Sequence, residues 1–230
     1  MRLVSILLLL LVLQTTWSQS DVEQRYGIWT NHGKTSRDIY GIALGGTANQ
    51  NDSLPQVRTF GLRVEVPGVG VFSPLIPQSP IRWERANFTH FEPEYSNDLT
   101  NGILISSGTW NADVNGISIG AVGQYLRNGN GLSISGLGVI ARRHNGVMIS
   151  LSNESLVMNG VALAGIGNTT EIMNGLQLGL LNEVDYSGTG LQIGLWNRAK
   201  NFRGLQFGLW NVIDGKGFPL VNMKFKRQKQ

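Results

Sequence analysis

Gly190-Leu-Gln-Ile-Gly-Leu-Trp-Asn197 returns almost unchanged as Gly204-Leu-Gln-Phe-Gly-Leu-Trp-Asn211, and this repeated stretch decides the fold. Looser versions precede it, in which an asparagine and a glycine are followed by alternating apolar residues. Successive copies begin 14 or 15 residues apart, which is typical of a tandem array built from one short structural unit. The eight repeat glycines are Gly102, Gly116, Gly131, Gly146, Gly160, Gly175, Gly190 and Gly204.

Each repeat predicts a β-strand with two different faces. In the seventh unit the aliphatic residues Leu191, Ile193 and Leu195 lie two positions apart. A period of two indicates a strand, whereas a helix needs apolar residues three and four positions apart. Asparagine and glycine at the start of a unit favour a turn, because glycine tolerates positive φ and asparagine hydrogen-bonds its own backbone. The sequence therefore predicts an all-β protein of tandem 14–15-residue repeats.

Two all-β architectures fit this unit length. In a β-solenoid each unit is one coil, and equivalent residues stack on the next coil about 4.8 Å away. Gln177, Gln192 and Gln206 would then form a ladder, with Trp196 stacked over Trp210. In an up-and-down β-barrel each unit is instead one strand and one turn, with aliphatic side chains outward.

The β-solenoid is the favoured architecture, and the barrel is the alternative. Parallel coils explain why every unit matches its neighbour, whereas antiparallel strands place successive turns at opposite ends. The alternation also lasts about six or seven residues, short of the roughly 9–11 that a membrane-spanning strand needs. In the solenoid, the asparagines that close the strands would form a second ladder. These residues are Asn153, Asn182, Asn197 and Asn211.

A secretory signal is predicted at the N-terminus. Arg2 precedes an unbroken apolar run over residues 3–13, and small polar residues suited to cleavage after Ser18 follow. We therefore expect residues 1–18 to be removed and the mature chain to start near Gln19. The apolar run is too short to span a bilayer, which takes roughly 20 residues, so no transmembrane helix is expected.

The mature chain divides into three segments. Residues 19–100 are irregular and β-rich, and we expect them to cap the array. The eight tandem repeats occupy residues 101–218. Residues 219–230 are expected to form a C-terminal strand and a solvated basic tail.

The composition bounds the class of protein. Thirty glycines, 15% charged residues and 41% hydrophobic residues favour a β-rich repeat over a disordered, charge-driven chain. The complete lack of cysteine excludes a disulfide framework and a lipid attached to an N-terminal cysteine. The net charge of +4 is concentrated near the C-terminus, so no nucleic-acid partner is expected.

The best candidate for chemistry is the loop that contains His90, Glu92 and Glu94. These side chains could hold a metal, or the two glutamates could act as acid and base on a surface glycan. Glu92 and Glu94 flank a proline, however, and no second histidine lies nearby. An aromatic, charged loop leading into the array is therefore the favoured interpretation. No catalytic, cofactor-binding or metal-ligating residue is predicted.

A candidate binding face lies in the last three repeats. Exposed tryptophans beside the glutamines would form a flat stripe for a sugar or a partner protein. Stacking within the array is the alternative interpretation, and it is the favoured one. The residues of this candidate face are Gln177, Gln192, Trp196, Gln206 and Trp210.

The repeats carry a family resemblance. The two Gly-Leu-Gln-x-Gly-Leu-Trp-Asn phrases, the preceding Asn-Gly units and the ending Phe218-Pro-Leu-Val-Asn-Met-Lys-Phe225 resemble the Leptospira-type surface-repeat family, with similar proteins widespread in Bacteroidetes. The resemblance covers about residues 100–225. It implies an all-β repeat at the cell surface or envelope, without an established activity or assigned functional residues. Some similar proteins are lipoproteins, but this chain lacks the cysteine that such tethering requires.

These observations predict an exported, non-enzymatic surface or envelope repeat protein with a structural or binding role. Its partner would be an unidentified component of the envelope or surface, and association with the outer membrane is compatible with this location. A small outer-membrane β-barrel protein is the alternative. A glycan-acting enzyme that uses the loop at residues 83–95 is a more distant one.

Overall fold

The computed structural model describes residues 22–32, 35–46, 56–75 and 78–225. The predicted signal peptide, the start near Gln19 and the basic residues after Phe225 lie outside these ranges. The described residues form eleven strands, a 3-10 turn at Val69–Leu75 and one short helix, α1 (Arg82–Ala86). The strands are β1 (Glu23–Thr30), β2 (Arg37–Gly45), β3 (Val57–Glu65), β4 (Asp98–Ser106), β5 (Thr109–Gly120), β6 (Gly123–Ser135), β7 (Gly138–Leu178), β8 (Leu181–Ile193), β9 (Trp196–Ala199), β10 (Phe202–Ile213) and β11 (Lys216–Lys224).

The strands stack as parallel coils, which confirms the β-solenoid. Consecutive strands from β1 to β6 pair in parallel, and each repeat glycine lies beside the glycine of the next coil, as Gly102 beside Gly116. Strand β7 continues around the corners of successive coils, and β8 and β10 resume the same parallel register. An up-and-down barrel needs antiparallel neighbours, so that alternative is wrong. The antiparallel pair in the described sheet is β10 with β11, which closes the C-terminal end.

Close approach of neighbouring coils explains the repeat glycines. Gly190 has φ +136°, a conformation that side-chain-bearing residues rarely adopt. A Cβ atom at Gly190 would lie 1.8 Å from the carbonyl oxygen of Gly175. Only glycine fits this position, and its regular return fixes where each coil begins.

The N-terminal region is more regular than the sequence indicated. Strands β1, β2 and β3 are three further coils, and Gly27, Gly41 and Gly61 align with Gly102 of the first predicted repeat. The expectation of an irregular cap over residues 19–100 is therefore wrong for these strands. Insertions after β2 and β3 place Gly41 and Gly61 20 residues apart, and Gly61 and Gly102 41 residues apart, which hides the period. Within the described ranges, β1 is the first coil of the array.

Two walls face each other across the interior of the solenoid. We name them from the last three coils: the glycine wall contains residues 173–178, 188–193 and 202–207, and the asparagine wall contains residues 181–184, 196–199 and 210–213. Apolar side chains from both walls meet between them and form one buried cluster. Its members are Val139, Met148, Met158, Ala162, Met173, Val184, Ala199, Phe202 and Ile213.

Polar ladders occupy the rest of the interior. Asn182 donates a hydrogen bond to Asn197 at 2.8 Å and a second to the carbonyl oxygen of Ile193 at 2.9 Å. Asn197 repeats this pattern with Asn211 and Phe207. The predicted asparagine ladder is thus confirmed. It also includes Asn168, so the members are Asn153, Asn168, Asn182, Asn197 and Asn211, all buried.

The segment between β3 and β4 lies across the outer side of the coils. Its Ile81 is fully buried against Leu156 and Val157. Phe88 and Phe91 pack beside the same cluster. This insert covers an apolar patch on the outside of the array with residues of the chain itself.

Candidate binding surface

Outward-facing apolar side chains form a continuous surface on the glycine wall. In every repeat, the first and third residues after the repeat glycine are isoleucine, leucine, valine or phenylalanine. None of these sixteen side chains is buried. We call this surface the apolar face. It consists of Ile103, Ile105, Ile117, Ile119, Leu132, Ile134, Val147, Ile149, Val161, Leu163, Leu176, Leu178, Leu191, Ile193, Leu205 and Phe207.

The strand alternation places the other side chains of this wall inside. Leu178 is 44% exposed and Phe207 is 42% exposed, whereas Gln177 and Gln206, one position earlier, are 1% and 0% exposed. Successive side chains of a strand point to opposite sides, so burying the glutamines exposes the aliphatic residues. In this wall apolar side chains therefore lie on the outer side as well as in the interior, which they share with the glutamines.

The apolar face continues beyond the eight repeats at both ends. At the N-terminal end Ile42 lies beside Leu62, and Leu62 lies beside Ile103. At the C-terminal end β11 places Val221 beside Phe207. Val221 is 44% exposed. The surface thus follows the described array from one end to the other.

The turns between the two walls widen the apolar face in the last coils. Leu195 is 50% exposed, and the equivalent Leu209 is 65% exposed. Trp196 lies beside Trp210 in register, and both rings are exposed. The predicted alignment of the two tryptophans is confirmed.

The predicted binding stripe of glutamines and tryptophans does not form on the outer surface. Gln192 donates a hydrogen bond to Gln177 at 2.7 Å and accepts one from Gln206 at 2.6 Å, so the predicted glutamine ladder is confirmed. The ladder lies inside the solenoid, because the glutamines occupy the inward positions. The assignment of these three residues to an exposed face is wrong. The sequence signal for a surface lay instead in the aliphatic positions on either side of them.

An uncharged ladder borders the apolar face at the start of each repeat. Asn115 donates to Asn101 at 2.8 Å, and Asn130 donates to Asn115 at 2.7 Å. Asn145, Asn159 and Asn174 continue the series. In the first three coils the same position carries the stacked rings of Tyr26, Tyr40 and Phe60. This border is therefore neutral over nine coils.

The candidate loop residues do not converge on one site. His90 Nε2 lies 2.8 Å from Glu92 Oε1, and both side chains are largely exposed. Glu94 instead forms an ion pair with Arg142 and lies 3.3 Å from Arg127. Within the described ranges no group of three or more histidine or acidic residues could hold a metal ion. The structure thus separates Glu94 from His90 and Glu92.

A cleft of about 410 Å³ lies between α1 and the coils. Arg85 occupies its floor, where its guanidinium reaches Glu171 at 2.9 Å and Glu154 and Asp185 at 3.0 Å. Burial raises the pKa of Glu171, and the hydrogen bond from Arg85 opposes that shift. One arginine thus ties three successive coils to α1, and this ion network clamps the insert onto the array.

A second charged cluster joins two coils inside the solenoid. The buried Arg63 guanidinium on β3 donates to both carboxylate oxygens of Asp98 on β4 and lies 2.9 Å from Glu65. Thr109 donates a hydrogen bond to Glu65 at 2.5 Å. Burial raises the pKa of Glu65, and the charge of Arg63 opposes the shift. The cluster holds the third and fourth coils together where the insert interrupts the repeat.

The fold and this surface define the chain as a parallel β-solenoid with an apolar outer face. No family model matches it, and comparison with curated proteins and with solved structures found no match. Its place in the surface-repeat family therefore stays a prediction. In the described part of the chain, no helix has the length and apolar character needed to cross a membrane.

Proposed function

We propose that this chain is an exported, non-enzymatic repeat protein of the cell surface or envelope, with a structural or binding role exercised through the apolar face. The observation that carries the proposal is the unbroken outward series of apolar side chains, without a charged residue among the sixteen. Exposed apolar surfaces larger than a few hundred Å² mark sites of protein or membrane interaction. The predicted signal peptide supplies the expectation of export.

The geometry of the apolar face supports a binding role for the protein more than a purely structural one. Parallel sheets occur almost only with both sides covered, because their strands expose apolar residues on both sides. Here one side of the glycine wall is covered by the interior and the other side is open. Covering the open side would remove apolar surface from water, at roughly 25 cal/mol per Å².

The proposal is tested by following the full-length chain in a bacterial host that exports it. We expect the protein in the envelope fraction, with an N-terminus at Gln19. The double variant Ile134→Lys/Leu163→Lys places two charges on the apolar face and should be exported but released into the soluble fraction. Thr169→Lys is the matched control, because Thr169 belongs to the asparagine wall beside Glu183.

Two outcomes would contradict the proposal. One is wild-type protein that remains in the cytoplasm with its first 18 residues attached. The other is a face variant that stays in the envelope to the same extent as wild type and the Thr169→Lys control.

A further inference from the structure

The size of the apolar face restricts what can cover it. Seven of the sixteen side chains are 37–44% exposed and the other nine are less exposed, so together they present roughly several hundred Å² of apolar surface. The exposed leucines and tryptophans at the turns, among them Leu195 and Trp210, enlarge this area. A stable protein interface buries roughly 800 Å² per partner. Together with these turn residues, the apolar face reaches the size that one partner contributes to a protein–protein interface.

The shape of the face suits a second sheet. The outward side chains stand in straight rows, because equivalent residues such as Ile103, Ile117 and Leu132 are neighbours in register. Two such surfaces can pack face to face at about 10 Å, as the two sheets of a β-sandwich do. A flat β-surface with its rows in register can therefore form one of the two packed sheets of such a sandwich.

The charge distribution favours a copy of the same surface. A two-fold symmetric interface brings like regions together, so a charged patch would repel itself. The sixteen side chains of the face carry no charge, and the asparagine border can both donate and accept hydrogen bonds. In the last repeat the border position is taken by one exposed arginine, Arg203, which lies beside Thr189. An anionic lipid surface would instead attract a border of free cations. At the far edge Arg198 is paired with Glu183 and Asp185, so it does not form such a border.

The molecule already covers its other outward apolar patch. Leu156 and Val157 project from the outside of the coils, and the insert buries them beneath Ile81. Two rings, Phe88 and Phe91, complete that cover. Within the described ranges, no segment of the chain plays the same part for the apolar face.

We infer that the apolar face is the contact surface between two copies of this chain, which pack face to face as a symmetric dimer. This inference rests on the proposed function and names the occupant of the surface on which that function depends. The glycine walls of the two copies form the centre of the assembly. The asparagine walls and inserts face outward.

The test uses residues 19–230, purified without detergent. Sedimentation equilibrium should give twice the mass of the chain for wild type and for Thr169→Lys. The Ile134→Lys/Leu163→Lys variant should dissociate at least 100-fold more readily, because a symmetric interface buries each introduced charge twice. Circular dichroism establishes whether that variant keeps its β-structure.

A photo-crosslinking measurement does not depend on the lysine variant. Benzoylphenylalanine at position 149, in the middle of the face, should yield a product of twice the chain mass. The crosslink should map to residues of the apolar face in the second copy. The same probe at position 169 should give no such product.

Three results would overturn the dimer. They are a monomeric wild type at 100 μM, a lysine variant that is folded and still dimeric, and crosslinks that map outside the face. A monomer that floats with phosphatidylcholine–phosphatidylglycerol vesicles would identify a lipid surface as the occupant instead. In that case envelope retention would still depend on the face, so the proposed function would stand. If the protein is a dimer but its retention in the envelope does not depend on the apolar face, the dimer stands and the proposed function is contradicted.

Discussion

At position 144 a histidine occupies the interior site that methionine fills in the next two coils, at Met158 and Met173. The His144 ring is 1% exposed, and its Nε2 atom lies 2.9 Å from the hydroxyl of Ser133. Its Nδ1 atom has no hydrogen-bond partner. Burial lowers the pKa of His144 to about 4. The folded protein therefore holds this ring in its neutral form.

The titration of His144 predicts a loss of stability in acid. Because the pKa of His144 in the folded protein lies below the ordinary value of 6.5, the stability that the buried neutral ring gives to the folded state is fully present above pH 6.5. It is lost as the pH falls toward about 4, and the loss amounts to about 3 kcal/mol. Urea unfolding of wild type and of His144→Met between pH 7.5 and 4 measures the difference. The other titrating groups are the same in both proteins, so their effects cancel in the difference between the two free energies of unfolding. The same pH dependence of unfolding in wild type and His144→Met would contradict the prediction.

Single residues also show how far sequence reasoning reaches. The roles of the glycines and the closing asparagines can be predicted from the sequence. Closely approaching coils admit only glycine, and a buried turn needs an amide that both donates and accepts hydrogen bonds. The period of two does not state which side of a strand is inward. Gln192 and Ile193 are adjacent, and only the packing of the two walls decides that Gln192 is buried and Ile193 is exposed. The glutamines of the predicted binding face therefore lie inside the solenoid, whereas its two tryptophans are exposed.

At the scale of the element, the interior asparagine ladder connects the coils. Each buried side-chain amide bonds to the next coil and also to a backbone carbonyl of that coil, as Asn182 does. The outer ladder has the same amide-to-amide bonds but lies near solvent, where water can replace a lost partner. Comparing substitutions in the two ladders therefore shows how much burial adds to the contribution that each hydrogen bond makes to the stability of the protein.

We expect Asn182→Ala to lower the free energy of unfolding by roughly 2–4 kcal/mol, because it leaves buried polar groups without partners in two coils. Asn130→Ala in the outer ladder is the matched change and should cost less than about 1 kcal/mol. Chemical denaturation of both variants measures these values. Similar losses at the two positions would show that burial does not govern the strength of the ladders.

Elements that interrupt the repeat were harder to predict. The 14-residue step from Gly27 to Gly41 and the phrases Tyr40-Gly-Ile and Phe60-Gly-Leu match the array, and this signal could have revealed the first coils. The insert after β3 gave no comparable signal. Its position depends on long-range contacts such as that of Arg85 with Asp185, one hundred residues away in sequence.

For the whole molecule, the ends of the array pose a different problem from its sides. A solenoid ends in a strand whose backbone groups can pair with another chain. At the C-terminal end β11 turns back and pairs with β10 in the antiparallel sense, from Gly204 with Lys224 to Ile213 with Lys216. The buried Asn222 strengthens this closure by donating to the carbonyl oxygens of Asn211 and Lys216.

Removing β11 should convert a closed end into a growing one. A chain that stops at Gly215 exposes the full edge of β10, so we expect species larger than a dimer that increase with concentration. Sedimentation velocity and electron microscopy distinguish these species from the face-to-face dimer. A chain that stops at Phe225 keeps β11 and loses only the five residues beyond it, three of which are basic, and it should behave as wild type. If the Gly215 truncation keeps its β-structure and the same size as full-length protein, then β11 does not protect the end, and the edge of β10 is blocked by other means.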